Sequence, residues 1–315
     1  MKIGTLLPSA TEIVCALGLE KNLVGISHEC DFPSSVSNLP HLTSSSIGNH
    51  RSSEDIHQSV ETLLKQSLSV YELDLELLKS LKPNYLITQD LCDVCAVSFT
   101  QVKDACREVL GADTKIISLR PQRLKDIWED LRSVAEELEV MAAYDKFKAD
   151  VDDRINYIFS KVKENSLIKR SVLTIEWYAP VMIGGLWLPE MIEIAGGNYL
   201  LATPGERALT VTREKLNEIN PDVVIIKPCG FKLKQTMQEL ETLSRNIPLE
   251  NWKAYQSDDI FIVDGNAYFN RPGPRMIESL EILSYCIHPK IFPEFLEKYG
   301  ASLVKLGSNF EFMQS

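Results

Sequence analysis

The chain has 315 residues, of which 44% are hydrophobic and 24% are charged, and glycine and proline contribute 15 residues each. This composition excludes a disordered, collagen-like or low-complexity chain. Acidic residues outnumber basic ones by 44 to 33, and the net charge of −11 argues against binding to nucleic acid or to an anionic membrane surface. At about 150 residues per domain, the length predicts two domains or one large one.

The N-terminal apolar segment is interrupted early, by Pro8, Ser9, Thr11 and Glu12. A secretory signal needs a continuous apolar run of about 7–15 residues, and a spanning helix needs about 20 apolar residues. We therefore expect no membrane insertion and a cytoplasmic location, or a periplasmic or extracellular one if a signal has been removed. The seven cysteines are an odd number in a chain that is not small, so we expect no disulfide framework.

Strands and helices alternate along the first 121 residues of the sequence. Apolar strand patterns lie at 2–7, 22–27, 84–88 and 114–119. Helical patterns follow the first strand and recur at 54–66, 73–81 and near 99–110. This alternation predicts a parallel sheet covered by helices.

Residues 122–165 contain neither proline nor glycine, and their apolar residues repeat at helical spacing. This pattern predicts one long helix, or two that are closely joined. We place the domain boundary here, with an N-terminal α/β lobe at 1–122, a bridging helix at 123–165 and a C-terminal α/β lobe at 166–315.

The alternation resumes in the second half of the chain. Strands are predicted at 171–177, 222–227 and 259–264, and helices at 187–197, 211–219, 232–245, 276–288 and 292–300. The sequence therefore predicts an α/β fold with two Rossmann-like lobes, each built on a parallel sheet.

Polar, aromatic and thiol side chains follow the predicted strands where ligands bind to parallel sheets, outside the carboxyl ends. These residues are the candidate ligand-binding set: Ser9, His28, Gln89, Trp177, Tyr178, Trp187, Phe231, Asn266, Tyr268, Phe269 and Arg271.

The thiols in the same segments are candidate metal ligands: Cys30, Cys92, Cys95 and Cys229. Cys92 and Cys95 form a C-x-x-C pair, which is typical of half a zinc site, of a redox pair, or of two buried small side chains. With His28 nearby, the four thiols could supply enough soft ligands for a metal ion. All three interpretations stay open.

The aromatic residues and the arginine also have two interpretations each. Trp177 and Trp187 flank the Gly184–Gly185 pair and favour stacking on a flat ligand, whereas Phe231 and Phe269 fit ligand stacking and core packing equally. Arg271 could meet a ligand carboxylate, phosphate or amide oxygen, or could hold its own loop through backbone carbonyls.

Several segments together resemble a known family. LLPSATEIVCALGLEKNLVGISHECDFP, QDLCDVCAVS, PCGF and DGNAYFNRPGPR occur in this order. They are similar to signatures of the cobalamin and iron-siderophore class of periplasmic binding proteins, and nearest to its cobalamin-binding branch. The resemblance covers about residues 1–290. It implies two α/β lobes bridged by one long helix, a ligand clasped between the lobes, and a transporter as partner.

These observations favour a binding protein over an enzyme. The first hypothesis is that the cleft between the lobes holds cobalamin, another corrinoid or a related metal chelate as a small-molecule ligand. Aromatic residues of the second lobe would cover its apolar faces, and the cobalt could accept His28 or a thiolate as an axial ligand. One alternative is a cytosolic metal- or thiol-dependent enzyme on the same scaffold that uses the cleft cysteines, and another is a protein that binds a bare metal ion.

Overall fold

The computed structural model describes residues 1–46, 52–65, 71–90, 110, 114–165, 168–307 and 312–313. The chain divides into two compact units. The first comprises Met1–Pro121 with Lys125–Ala149, and the second comprises Gln122–Leu124 with Asp150–Ser315. Within the described ranges, no helix is long and apolar enough to cross a membrane.

The first unit is built on a four-stranded sheet with helices packed around it. The unit contains the strands β1 (Ile3–Thr5), β2 (Leu23–Gly25), β3 (Thr43–Ser45), β4 (Tyr71–Leu73), β5 (Tyr85–Gln89) and β6 (Lys115–Leu119). Its first three helices are α1 (Pro8–Ala16), α2 (Ser53–Lys65) and α3 (Leu75–Leu81). The sheet has the order β2–β1–β5–β6 and all its pairs are parallel, as predicted. Strands β3 and β4 form a separate antiparallel pair.

Local chemistry explains where these helices begin. Pro8 occupies the first turn of α1, where a missing N–H costs nothing. Asp74 caps α3, and its carboxylate accepts a hydrogen bond of 2.9 Å from the Leu77 backbone N–H. Beneath the sheet, Leu42 and Leu86 are fully buried in one apolar cluster.

The glycine- and proline-free segment is two helices, α4 (Leu124–Glu137) and α5 (Met141–Glu164). The structure therefore has two closely joined helices here, the second of the two predicted alternatives, and not the single bridging helix expected at 123–165. Glu139 has a left-handed backbone with φ of 59°, which ends α4 and lets the chain turn into α5. The chain passes from the first unit to the second inside α5, between Ala149 and Asp150.

The second unit is built on a larger sheet. Its strands are β7 (Arg170–Tyr178), β8 (Val181–Ile183), β9 (Gly197–Tyr199), β10 (Leu209–Thr210), β11 (Val223–Ile226), β12 (Ile260–Val263), β13 (Leu303–Leu306) and β14 (Phe312–Met313). Its helices are α6 (Leu188–Ile194), α7 (Arg213–Asn217), α8 (Leu233–Gln238), α9 (Leu240–Asn246), α10 (Lys253–Gln256), α11 (Met276–Ile287) and α12 (Pro293–Tyr299).

The second sheet is mixed rather than wholly parallel. Strands β9, β7, β11 and β12 form parallel pairs, as predicted. Strands β8 and β10 on one side, and β13 and β14 on the other, join the sheet through antiparallel pairs. The turn between Tyr178 and Val181 is too short for a crossover, so β8 must return alongside β7. The helix predicted at 292–300 is present as α12, and β13 after it was not predicted.

A tight contact in the first unit offers a test of its packing. A Cβ at Gly25 would lie 2.8 Å from Leu42 Cγ, so we expect Gly25→Ala to lower the free energy of unfolding by about 1–3 kcal/mol through overpacking. Urea unfolding followed by circular dichroism measures the change.

The matched background is Leu42→Ala, which removes the side chain that the new methyl group would strike. In that background the added methyl should be neutral or stabilising, because it enters the space that Leu42 left. Equal costs in both backgrounds would contradict this account of the contact.

Candidate functional site

Parallel strands bring the predicted residues of the first unit to one edge of its sheet. Ser9 follows β1, His28 and Cys30 follow β2, and Gln89 ends β5. Ser9, Cys30 and Gln89 are buried, and the hydroxyl of Ser9 has no hydrogen-bond partner among the residues that the structure describes. The prediction that these strand ends share one edge is confirmed by the sheet order.

Cys30 belongs to a buried row of small polar side chains. The Oγ1 atoms of Thr5 and Thr11 lie 2.6 Å apart, and Thr11 Oγ1 lies 3.0 Å from Cys30 Sγ. The thiol of Cys30 therefore helps to satisfy a threonine hydroxyl inside the unit. Metal ligation by this thiol stays a prediction.

The imidazole of His28 is held in one orientation by Thr43. The hydroxyl of Thr43 donates to Ser27 Oγ at 3.0 Å, which leaves its lone pairs to accept from His28. The His28 backbone N–H lies 3.2 Å from Thr43 Oγ1, and the ring Nδ1 lies 2.8 Å from the same atom. This arrangement assigns the proton to Nδ1 and leaves a lone pair on Nε2.

The surroundings of His28 favour its neutral form. Burial lowers the pKa of His28, His41 acts in the same direction, and Glu29 opposes them. The ring of Tyr71 lies 5.3 Å from the His28 ring, and the Tyr71 hydroxyl donates to Glu29 Oε1 at 2.8 Å. A neutral, half-buried imidazole with a free Nε2 can bind a metal centre.

An aromatic cluster occupies the carboxyl edge of the second sheet. Trp177 and Tyr178 are the last two residues of β7, which extends one residue beyond the predicted end at 177 because the chain turns directly into β8. The Trp177 ring centroid lies 5.1 Å from that of Phe231, which meets it edge-on, and 6.2 Å from that of Tyr178, which stacks on it. Trp177 is half-buried, whereas Tyr178 and Phe231 are buried behind it.

The remaining predicted aromatic residues form the adjoining part of the second unit. The Trp187 indole donates to the Phe269 carbonyl at 2.9 Å, and both side chains are buried. Phe269 has φ of 70°, and its N–H donates to Ser279 Oγ at 3.0 Å. The half-buried ring of Tyr268 lies 5.7 Å from the guanidinium of Arg275. Ligand contact by these rings stays a prediction.

Asn266 and Arg271 pair with each other. Arg271 is buried, and its Nη2 donates to Asn266 Oδ1 at 2.9 Å. The Asn266 backbone N–H donates to the Phe231 carbonyl at 3.0 Å, so this loop is tied to the aromatic cluster. The contact of Arg271 with Asn266 lies within its own loop, and ligand contact by Arg271 stays a prediction.

One group at this edge was not predicted from the sequence, Lys227, whose partner is Glu176. Lys227 directly follows β11 and is fully buried, with its Nζ 2.9 Å from Glu176 Oε2 and 3.0 Å from Asn270 Oδ1. A lysine at the end of an apolar strand is typical of a solvated end, so the only signal for Lys227 is its position as a charged residue directly before the PCGF segment.

The thiol predictions have different outcomes. Cys92 and Cys95 lie outside the described residues, and Cys229 is exposed in the second unit. Within the described part of the chain, no group of three or more His, Cys, Asp or Glu side chains is arranged to hold a metal ion. The metal, redox and packing interpretations of the C-x-x-C pair stay predictions.

Comparisons with known proteins agree with this fold. The family described as periplasmic binding protein matches residues 3–267. An uncharacterized ABC transporter substrate-binding lipoprotein, YvrC of Bacillus subtilis (strain 168), is 22% identical over 298 residues, which cover 93% of this chain and 82% of that protein.

Solved structures share the architecture at low identity. A periplasmic heme-binding protein from Pseudomonas aeruginosa is 18% identical, with a TM-score of 0.67 over 92% of this chain and 93% of that one. The periplasmic vitamin B12-binding protein BtuF of Vibrio cholerae is also 18% identical, with a TM-score of 0.60 over 91% and 96% of the two chains. At this identity the likeness shows the fold.

The proton on Nδ1 of His28 can be tested directly. We expect ¹⁵N chemical shifts of the ring to show the Nδ1–H tautomer in the wild-type protein. Thr43→Val removes the acceptor 2.8 Å from Nδ1 and should raise the Nε2–H population.

Thr62→Val is the matched control, because the Thr62 hydroxyl donates only to the Gln58 carbonyl of its own exposed helix. Its His28 spectrum should be that of the wild type. A wild-type spectrum dominated by Nε2–H would show that the hydrogen-bond assignment is wrong.

Proposed function

Because this chain belongs to the periplasmic binding protein family, we propose that it binds a flat, metal-containing tetrapyrrole, and that this ligand is a corrinoid such as cobalamin. The single observation that carries the proposal is the half-buried Trp177 ring, supported from behind by Tyr178 and Phe231 at the carboxyl edge of the second sheet. A rigid aromatic surface of this kind suits the broad apolar face of a corrin.

The relatives support a ligand of this size and shape. The structurally similar proteins include a periplasmic vitamin B12-binding protein and a periplasmic heme-binding protein. Both named ligands are metal chelates of large flat macrocycles. The signature segments favour the corrinoid of the two, because they resemble the cobalamin-binding branch.

His28 is the group of the first unit that we assign to the metal. The Nδ1–H of His28 donates a hydrogen bond to the Thr43 hydroxyl, so the lone pair on Nε2 is free. Neutral imidazole is a good ligand for cobalt or iron. That the edges of the two units share one ligand remains the prediction made from the sequence.

The family supports a proposal about the partner of this protein, but not about its location in the cell. The Bacillus relative is described as a transporter substrate-binding lipoprotein, and delivery of the ligand to an ABC transporter is the corresponding proposal for this chain. The cytoplasmic location remains a prediction. The enzyme alternative uses the thiols of Cys30, Cys92, Cys95 and Cys229, of which Cys92 and Cys95 lie outside the described residues, and it remains a prediction as well.

Titration with diaquocobinamide, followed by absorbance, tests the proposal. We expect the wild-type protein to bind it, and Trp177→Ala to weaken the binding about tenfold or more, since one stacked aromatic contributes about 1.4 kcal/mol or more. Phe159→Ala is the matched control, because Phe159 is an exposed aromatic of α5 in the same unit. Equal losses in the two variants would remove the reason for assigning the ligand to the aromatic cluster.

The role of His28 has a spectroscopic test. Replacement of a cobalt-bound water by imidazole nitrogen shifts the corrin absorption bands, and we expect this shift on binding to the wild-type protein. His28→Ala should abolish the shift while most of the affinity remains, because the aromatic contacts are unchanged. A shift that persists in the variant would exclude His28 as the axial ligand.

A further inference from the structure

The carboxyl edge of the second sheet contains an ion pair whose lysine is fully buried. Lys227 is 0% exposed, and its ammonium group donates to Glu176 Oε2 at 2.9 Å and to Asn270 Oδ1 at 3.0 Å. Its Nζ also lies 5.9 Å from the ring centroid of Phe269. Burying a lysine costs several kcal/mol unless its charge is compensated, so these partners are required for the strand end to pack as it does.

The surroundings of the pair fix the direction of the Glu176 carboxylate. Asn270 is itself held, because its Nδ2 donates to the Gly265 carbonyl at 2.9 Å. A Cβ at Gly184 would lie 2.9 Å from Glu176 Oε2 and 2.4 Å from Leu188 Cδ1, so only glycine leaves room for the carboxylate in this position. Oε2 is therefore committed to Lys227.

The second carboxylate oxygen remains available. Glu176 is 26% exposed, and within the described part of the chain its Oε1 accepts no hydrogen bond. The residue directly precedes Trp177, and its backbone carbonyl accepts from the Cys229 N–H at 3.1 Å. An oriented acceptor is thus carried by the residue that directly precedes Trp177 in β7.

We propose that Oε1 of Glu176 accepts a hydrogen bond from an N–H group on the rim of the ligand, and thereby selects tetrapyrroles with an amide rim over those with a carboxylate rim. This inference rests on the proposed function and names the chemical class of its ligand more closely. Glu176 acts as the specificity-determining residue, and Lys227 is the positioning residue behind it.

Charge explains the selectivity. An amide N–H donates to the carboxylate in a charge-assisted hydrogen bond, which is about twice as strong as a neutral one. A ligand carboxylate in the same place would put two anionic oxygens in contact, which is unfavourable. The rim of a corrin carries primary amides, whereas that of a porphyrin carries carboxylates.

The test compares two ligands that differ only at the rim, dicyanocobinamide and dicyanocobyrinic acid. Cyanide fills both axial positions, so ligation by the protein does not contribute to the difference. Binding is measured by calorimetry at an ionic strength of about 0.5 M, which screens the long-range effect of the net charge. We expect the wild-type protein to prefer the amide-rimmed ligand by about tenfold or more.

Glu176→Gln is the decisive variant. Lys227 requires an oxygen, so the glutamine carbonyl should face the lysine and its NH₂ group should take the exposed position. A donor then replaces an acceptor, and the preference ratio should fall at least tenfold. Glu250→Gln, which changes an exposed glutamate elsewhere in the same unit, should leave the ratio unchanged.

The outcomes separate the two proposals. A folded Glu176→Gln protein with the wild-type ratio overturns the inference and leaves the proposed function intact. If that variant does not fold, the wild-type ratio alone decides, and equal affinity or a preference for the carboxylate rim overturns the inference. Wild-type protein that binds neither corrinoid overturns the proposed function, and the inference with it.

Discussion

Parallel pairing of β7, β11 and β12 is the constraint on which the rest of the second unit depends. Ile226 of β11 lies in register with Ile175 on one side and Ile262 on the other, so β11 and β12 end at nearly the same level and β7 continues beyond them to Tyr178. Whatever follows each strand is therefore delivered to one edge. The residues that follow are an aromatic pair, a buried lysine and a loop that is tied to both. The same rule acts in the first unit, where Thr5 pairs with Ile87.

The two edges are built from different chemistry. In the second unit, charge and aromatic area are combined: Lys227 is compensated completely, and the rings near it pack against one another. In the first unit, hydroxyls and a thiol satisfy each other in short rows, and one row ends at an imidazole. The first edge can supply a neutral metal ligand and the second a rigid surface with a directed acceptor. Groups held in place before a ligand arrives lose little freedom when it binds.

Alternation of apolar runs and helical patterns was sufficient to locate the central strands of the second unit, because β11 and β12 are continuous apolar segments between turn signals. It could not locate the break between α4 and α5, because Glu139 carries no sign of a left-handed backbone. Strand β13 was not predicted because it is four residues long and includes Lys305, so it forms no continuous apolar run. At the site, residue types and strand ends identified Trp177 and His28. The pairing of Lys227 with Glu176 and Asn270 could not be predicted, because those two residues are distant from it in the sequence.

The position of β13 in the chain affects how the protein is made. Everything in the first unit lies within the first 149 residues, so that unit can fold while the remainder is still being synthesised. The second unit is different, because β12 is an entirely buried apolar strand whose outer neighbour is formed by Leu303–Leu306. Until those residues leave the ribosome, β12 is a bare apolar edge that can pair with another nascent chain. Once Leu303–Leu306 have been made and have paired with β12, that edge is covered.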